Sequence, residues 1–135
     1  MDTMTNEMVK QAVDTGMWML RRSDNGEAYG GFQWQPIGEW TEAPDWNPEP
    51  ECKGGLHGCG PQSSGYYTDG PDIDFCLIEG DVVDIDGKKL KAKRALILLR
   101  NELPEGLSVG GSLYLSGTGI TSLPEGLSVG REVYW

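Results

Sequence analysis

Histidine occurs once in this chain, at His57, inside Cys52-Lys53-Gly54-Gly55-Leu56-His57-Gly58-Cys59-Gly60. An imidazole exchanges protons near neutral pH, and glycines on both sides let a ligand approach the backbone closely, so general acid–base chemistry is the first to weigh. No serine or cysteine is placed by a known motif as its nucleophile. Cys52, His57, Cys59 and Cys76 offer four soft ligands, enough for a closed zinc site, but C-x4-H-x-C with a distant fourth cysteine matches none of the usual knuckle spacings. Packed thiols are therefore the default, and three cysteines cannot all pair. The run Asp81-Val82-Val83-Asp84-Ile85-Asp86-Gly87 has the oxygens of a calcium loop without its spacing. P-loop, GxGxxG and HExxH motifs are all absent. These residues give no catalytic assignment, no metal and no cofactor.

The other chemistry is charge. The 135 residues carry 21 acids and 11 bases, a net charge of −10. Such a chain repels nucleic acid and anionic membrane and attracts basic protein surfaces, including those built to bind nucleic acid. The excess is local: residues 39–86 hold twelve acids and one base, whereas residues 87–100 hold six bases and no acid. The acids are Glu39, Glu42, Asp45, Glu49 and Glu51, then Asp69, Asp72, Asp74, Glu79, Asp81, Asp84 and Asp86. Alternation in IDFCLIE (73–79) and VVDID (82–86) is expected to turn Asp72, Asp74, Asp84 and Asp86 outward together. The alternative is a solvated face neutralised across the Asp86-Gly87 turn by the lysines of KKLKAKR. That leaves the surplus in 39–51 without a nearby base.

The elements that must position these groups follow from periodicity. Residues 3–15 suit a helix ended by Gly16. MWML (17–20) reads as a strand, hairpinned through Asp24-Asn25-Gly26 to GGFQWQ (30–35). Residues 36–71, rich in proline, glycine and tryptophan, read as an ordered loop region pinned by Trp40 and Trp46. Strands are expected at 73–79, 81–86 and 88–99, with ALILL buried on both faces. The octapeptide LPEGLSVG stands at 103–110 and again at 123–130, a period of 20 residues that signals a solenoid. Strand 88–99 is the expected first rung. Its last strand, ending at Tyr134-Trp135, leaves an edge open to a partner chain or a weak homodimer.

The pattern LSVGGSLYLSGTGITSLPEGLSVG resembles leucine-rich-type repeats found in many bacterial and phage proteins. The segment FQWQPIGEWTEAPDWNPEPECKGGLHGCG, with the acidic and Lys-rich strands after it, resembles small phage-encoded domains of unknown function. That resemblance implies a phage or prophage product acting in a bacterial cytosol, and no activity comes with it. Gly-Leu-His57 followed by Tyr66 and Tyr67 is distantly similar to the NAD site of ADP-ribosyltransferases, which would make Glu79 the glutamate by position.

The expectation is an α+β fold: a domain over 1–100 with an N-terminal helix and an antiparallel sheet, and a two-repeat extension over 101–135 packed on the last strand. The expected function is that of a non-enzymatic inhibitor similar to anti-CRISPR proteins. It would occupy a basic DNA-binding surface of a bacterial complex with the twelve carboxylates above, by DNA mimicry. The alternatives are an ADP-ribosyltransferase-like or NAD-binding module at His57, and an interaction module that uses the repeat edge.

Overall fold

A computed structural model describes residues 3–25, 27, 33–51, 54–62, 70–87 and 89–134. The fold is α+β, with α1 (Thr3–Thr15) followed by β1 (Trp18–Ser23), β2 (Trp40–Glu42), β3 (Leu56–Gly58), β4 (Asp72–Ile85) and β5 (Lys89–Arg100). The repeats supply β6 (Ser108–Val109), β7 (Leu113–Tyr114), β8 (Ser128–Val129) and β9 (Val133–Tyr134). Gly16 ends α1 as expected: it takes φ 74°, and its N–H donates to the Ala12 carbonyl at 3.0 Å.

The sheet is antiparallel in the order β1-β4-β5-β2, with β3 also on β5. β5 is central because its residues 95–99 are buried without a break, and only a strand covered on both faces tolerates such a run. Two irregularities bend the β4–β5 pair, one between Phe75 and Cys76 and one between Glu79 and Val82, where Gly80 adopts φ 81°. What reads as two strands is thus one bent strand. Bending lets the sheet close, since Leu20 and Cys59 exchange backbone hydrogen bonds of 2.8 Å in both directions and so join β3 back to β1. Met19, Leu56, Cys76, Ile78, Ala92, Ala95 and Ile97 pack with Trp34 into one cluster. On the other face Trp18, Leu20, Ile73, Phe75 and Leu77 form a second cluster with Ala12 of α1 and with Leu107, Leu113 and Leu115 of the first repeat.

Two expectations need correction. The neighbour of β1 is β4, in the register Trp18↔Leu77 to Ser23↔Asp72, and not the described residues 33–35. Of that segment, residues 30–32 lie outside the described residues, and Gln33 forms a single bridge to Glu27. Nor does strand 88–99 serve as the first rung of the repeats. Both edges of β5 are already occupied over residues 90–97, by β4 on one side and by β2, β3 and the residues beside them on the other. The first rung stacks instead on the loop after β3, where the Gly110 N–H donates to the Pro61 carbonyl at 2.6 Å. The second rung lies in register on the first, with Ser108↔Ser128, Val109↔Val129, Leu113↔Val133 and Tyr114↔Tyr134 in parallel. The Tyr114 and Tyr134 rings stack at 4.6 Å. Among the described residues no helix is long and apolar enough to cross a membrane.

Candidate interaction site

The carboxylates fall into two groups with different fates. Glu39, Glu42, Asp45, Glu49, Glu51, Glu79, Asp81, Asp84 and Asp86 are exposed. Asp69 lies outside the described residues. Asp72 and Asp74 are turned to other uses, which corrects the expectation that alternation aims them outward.

Asp74 is wholly buried. The Arg21 Nη1 donates to its Oδ2 at 3.0 Å, the Arg100 Nε to its Oδ1 at 2.7 Å and the Ser23 hydroxyl to its Oδ2 at 2.9 Å. The Arg21 guanidinium also stacks over Trp34, 3.9 Å from the ring centroid. Burial pushes the Arg21 pKa down from its ordinary value, while the hydrogen bond to Asp74 pushes that of Arg100 up. Asp72, next along the same face, accepts from the Asn101 side chain at 2.9 Å and from the Asn25 N–H at 2.7 Å, and these bonds hold its carboxyl below the ordinary value. The sheet interior can take Asp74 because Arg21 and Arg100 stand directly across from it on β1 and β5, in the pairs Arg21↔Asp74 and Asp74↔Arg100. A buried charge survives where its partner is fixed beside it.

Within the exposed group, Glu42 and Glu79 meet at Arg94. In the cross-strand row Glu42↔Arg94↔Glu79, β2, β5 and β4 each place one residue side by side. The Arg94 Nη1 donates to Glu79 at 2.5 Å, and the Glu42 carboxylate lies 3.5 Å from Nε, close enough for an ion pair but without hydrogen-bond alignment. The guanidinium lies over Trp40, 4.0 Å from the ring centroid. The acidic loop that begins at Glu39 and the acidic end of β4 therefore meet at one arginine, which leaves that row short of positive charge by one.

Lys89 and Lys91 do not cover this side. In the regular register beyond the bulge, Lys91 opposes Val83 and Lys89 opposes Ile85, whereas Asp84 opposes Leu90, so Lys89 and Lys91 occupy the other face of the ribbon from Asp84. Among the described residues Asp81, Asp84 and Asp86 make no ion pair. Asp84 instead accepts from the Gly87 N–H at 2.9 Å and closes the turn, where Asp86 and Gly87 both take positive φ. The expected Lys-to-Asp neutralisation is absent from these described residues.

Lys91 turns inward. It is fully buried, with its Nζ 5.7 Å from the Trp46 ring centroid, and it stands opposite His57 of β3. A Cβ on Gly55 would come within 3.0 Å of the Lys91 side chain, so glycine there lets the loop lie on the lysine. Burial, Lys89 and Lys91 all push the His57 pKa down, with Asp45 acting against them, and the buried Nδ1 has no hydrogen-bond partner among the described residues. These surroundings favour the neutral imidazole over the charged form. Glu79 is engaged by Arg94, while Tyr66, Tyr67 and Cys52 lie outside the described residues. Cys59 and Cys76 are both buried, and Cys76 is a free thiol. Among the described residues no three of His, Cys, Asp and Glu gather as a metal set. Sequence reasoning missed Arg94 as the junction and Lys91 as a buried residue, because the run KKLKAKR gives no sign of which face each base takes. No protein-family model, curated protein or solved structure matches the chain.

Proposed function

We propose that this chain is a non-enzymatic binding protein whose acidic side docks on a basic, nucleic-acid-binding surface of a protein complex. The observation that carries the reading is the Glu42–Arg94–Glu79 row, which joins the acids of the 39–51 loop to those of the β4 end, with Lys89 and Lys91 on the opposite ribbon face from Asp84. A basic groove responds to the charge and spacing of its ligand, so rows of carboxylates can occupy sites made for phosphates. The binding set is Glu39, Glu42, Asp45, Glu49, Glu51, Glu79, Asp81, Asp84 and Asp86. Asp72 and Asp74 are left out, because their oxygens are spent inside the fold. The resemblance to phage anti-defence inhibitors makes a bacterial DNA-binding complex the natural target.

Capture of partners from a bacterial lysate at low and high salt tests this. The expected result is recovery of a DNA-binding complex at low salt, lost at high salt and lost when Asp81, Asp84 and Asp86 are all changed to lysine. Recovery that survives that charge reversal in a folded variant would overturn the reading.

A further inference from the structure

Tyrosine holds the same place in both repeats, in GSLYL (111–115) and REVYW (131–135). The parallel register of β7 and β9 sets Tyr114 directly beside Tyr134, with ring centroids 4.6 Å apart and ring planes within 6° of parallel. Neighbouring strands are themselves about 4.8 Å apart, so one ring is close to a simple translation of the other, and each ortho carbon lies within about 5 Å of its counterpart. The backbones beneath are fixed. Leu113 and Leu115 are buried on either side of Tyr114, and the Leu115 N–H donates to the Tyr134 carbonyl at 2.6 Å. The rings stay at the surface, with Tyr114 37% exposed and Tyr134 40%. The Tyr134 hydroxyl also donates to the Glu132 carboxylate, and that bond holds its pKa above the ordinary value. Stacking alone is a packing contact between rungs. A stacked, accessible pair of phenols with a base on one hydroxyl is in addition the arrangement that oxidative phenol coupling requires.

We propose that Tyr114 and Tyr134 are a site of oxidative modification, at which a one-electron oxidant of the haem-peroxidase class, consuming hydrogen peroxide, joins the two rings as dityrosine. Each phenol gives up one electron and its hydroxyl proton, the Tyr134 proton passing to Glu132 and the Tyr114 proton to water. The two phenoxyl radicals couple by a carbon–carbon bond between ortho carbons. The ring hydrogen at each coupled carbon then moves to the phenoxyl oxygen, which restores both aromatic rings. In sum the chain loses two hydrogen atoms, and one hydrogen peroxide takes up two electrons and two protons to become two waters. At the observed ring spacing the effective concentration of the second phenol far exceeds that of another chain in dilute solution, so the bond forms within one molecule. The link fixes the second rung on the first across the 20-residue period, restricting the unfolded chain as a disulfide does.

The test treats the dilute 135-residue chain with a haem peroxidase and limiting hydrogen peroxide. Dityrosine fluorescence should appear in a monomer lighter by two hydrogens, and peptide mapping should join Tyr114 to Tyr134. Tyr114→Phe and Tyr134→Phe each keep the stack and remove one hydroxyl, and each should lower the fluorescence yield severalfold. Tyr29, Tyr66 and Tyr67 are unchanged in both variants and report any coupling elsewhere. Unfolding in urea before oxidation should lower the yield severalfold as well, because it separates the rings. Glu132→Gln, which removes the proton acceptor, should slow the reaction severalfold and give the same linked peptide. In the cross-linked chain the Ser128 and Gly130 N–H groups, which bond to the first rung, should exchange more slowly than before. A link mapped to other tyrosines, full yield in either Phe variant, product found only as covalent dimer, or a yield undiminished in urea would each overturn the proposal.

Discussion

Asp74 accepts from the Arg100 Nε at 2.7 Å, where the carboxylate has no contact with solvent. With Arg21 on its other side, two guanidiniums converge on one acid inside the sheet, and each needs that acid to offset its loss of water. Asp74→Ala should therefore destabilise the chain by about 3–5 kcal/mol, because it strands buried positive charge. Asp74→Asn keeps the shape and loses the charge, and it should fall between Asp74→Ala and wild type. Chemical denaturation reads the order directly. Equal stability of all three proteins would mean that the network contributes nothing.

Arg94 behaves differently, because its partners are open to water, Glu79 at 55% and Glu42 at 74% side-chain exposure. Exposed pairs contribute little, so Arg94→Ala should cost only about 1 kcal/mol, including the lost stacking on Trp40. It also removes the base that bridges Glu42 and Glu79. Binding to a basic protein surface should then tighten at low salt and depend more steeply on salt than in the wild type. Weaker binding by a stably folded Arg94→Ala would show that the row is not part of the docking side.

The contrast between Asp74 and Asp84 marks how far sequence reading reaches. The helix, the strong turn at Asp86-Gly87 and the register of the repeats were all legible, because each depends on a local signal: a capping glycine, a turn dipeptide or an identical octapeptide. Period-2 alternation shows that Asp72 and Asp74 share a face, but not whether that face meets water or arginine. The answer lies on β1 and β5, 53 and 26 residues from Asp74 in sequence. Bulges defeat the same reasoning, since the irregularity between Phe75 and Cys76 resets which β5 residue faces which cluster. Strand order is non-local too, and only the pairing of β2 and β3 with β5 shows that the repeats cannot continue from that strand.

The single imidazole gives a clean pH probe. His57 is depressed from its ordinary value of 6.5 by burial and by Lys89 and Lys91. The unfolded chain takes up this proton near the ordinary value, and the folded chain does so only at lower pH. The contribution to stability is therefore complete above the ordinary value and falls away as pH drops from there to the folded value. An NMR titration should place the His57 midpoint below 6.5, and Lys91→Met should move it upward. An unshifted midpoint in the folded protein would contradict the packing of His57 against Lys91.

Burial, with Asp74 nearby, raises the Cys76 thiol far above its ordinary range, so it stays protonated and poorly nucleophilic at neutral pH. A thiol reagent should leave Cys76 unmodified in the native protein and label it fully once denaturant is added. Peptide mapping locates the label. Rapid native labelling of Cys76 would mean that the cluster around Met19, Ile78 and Ile97 opens readily.

The two rungs approach closely at Gly110 and Gly130. A Cβ on Gly130 would collide with the Gly110 carbonyl, and that carbonyl belongs to backbone fixed by the Gly110 bond to Pro61. Neither side can retreat without breaking the ladder, since the Gly130 N–H donates to the Val109 carbonyl at 2.7 Å. Gly130→Ala should therefore separate the rungs locally and cost about 1–3 kcal/mol, the usual penalty for overpacking. Gly117→Ala, where the substituted Cβ would meet only the end of the Arg22 side chain, supplies a comparison in which the cost comes from φ 77° alone. Hydrogen exchange distinguishes the two mechanisms. Gly130→Ala should speed exchange at Ser128 and Arg131, whose N–H groups bond to the first rung, while Gly117→Ala should leave both protected.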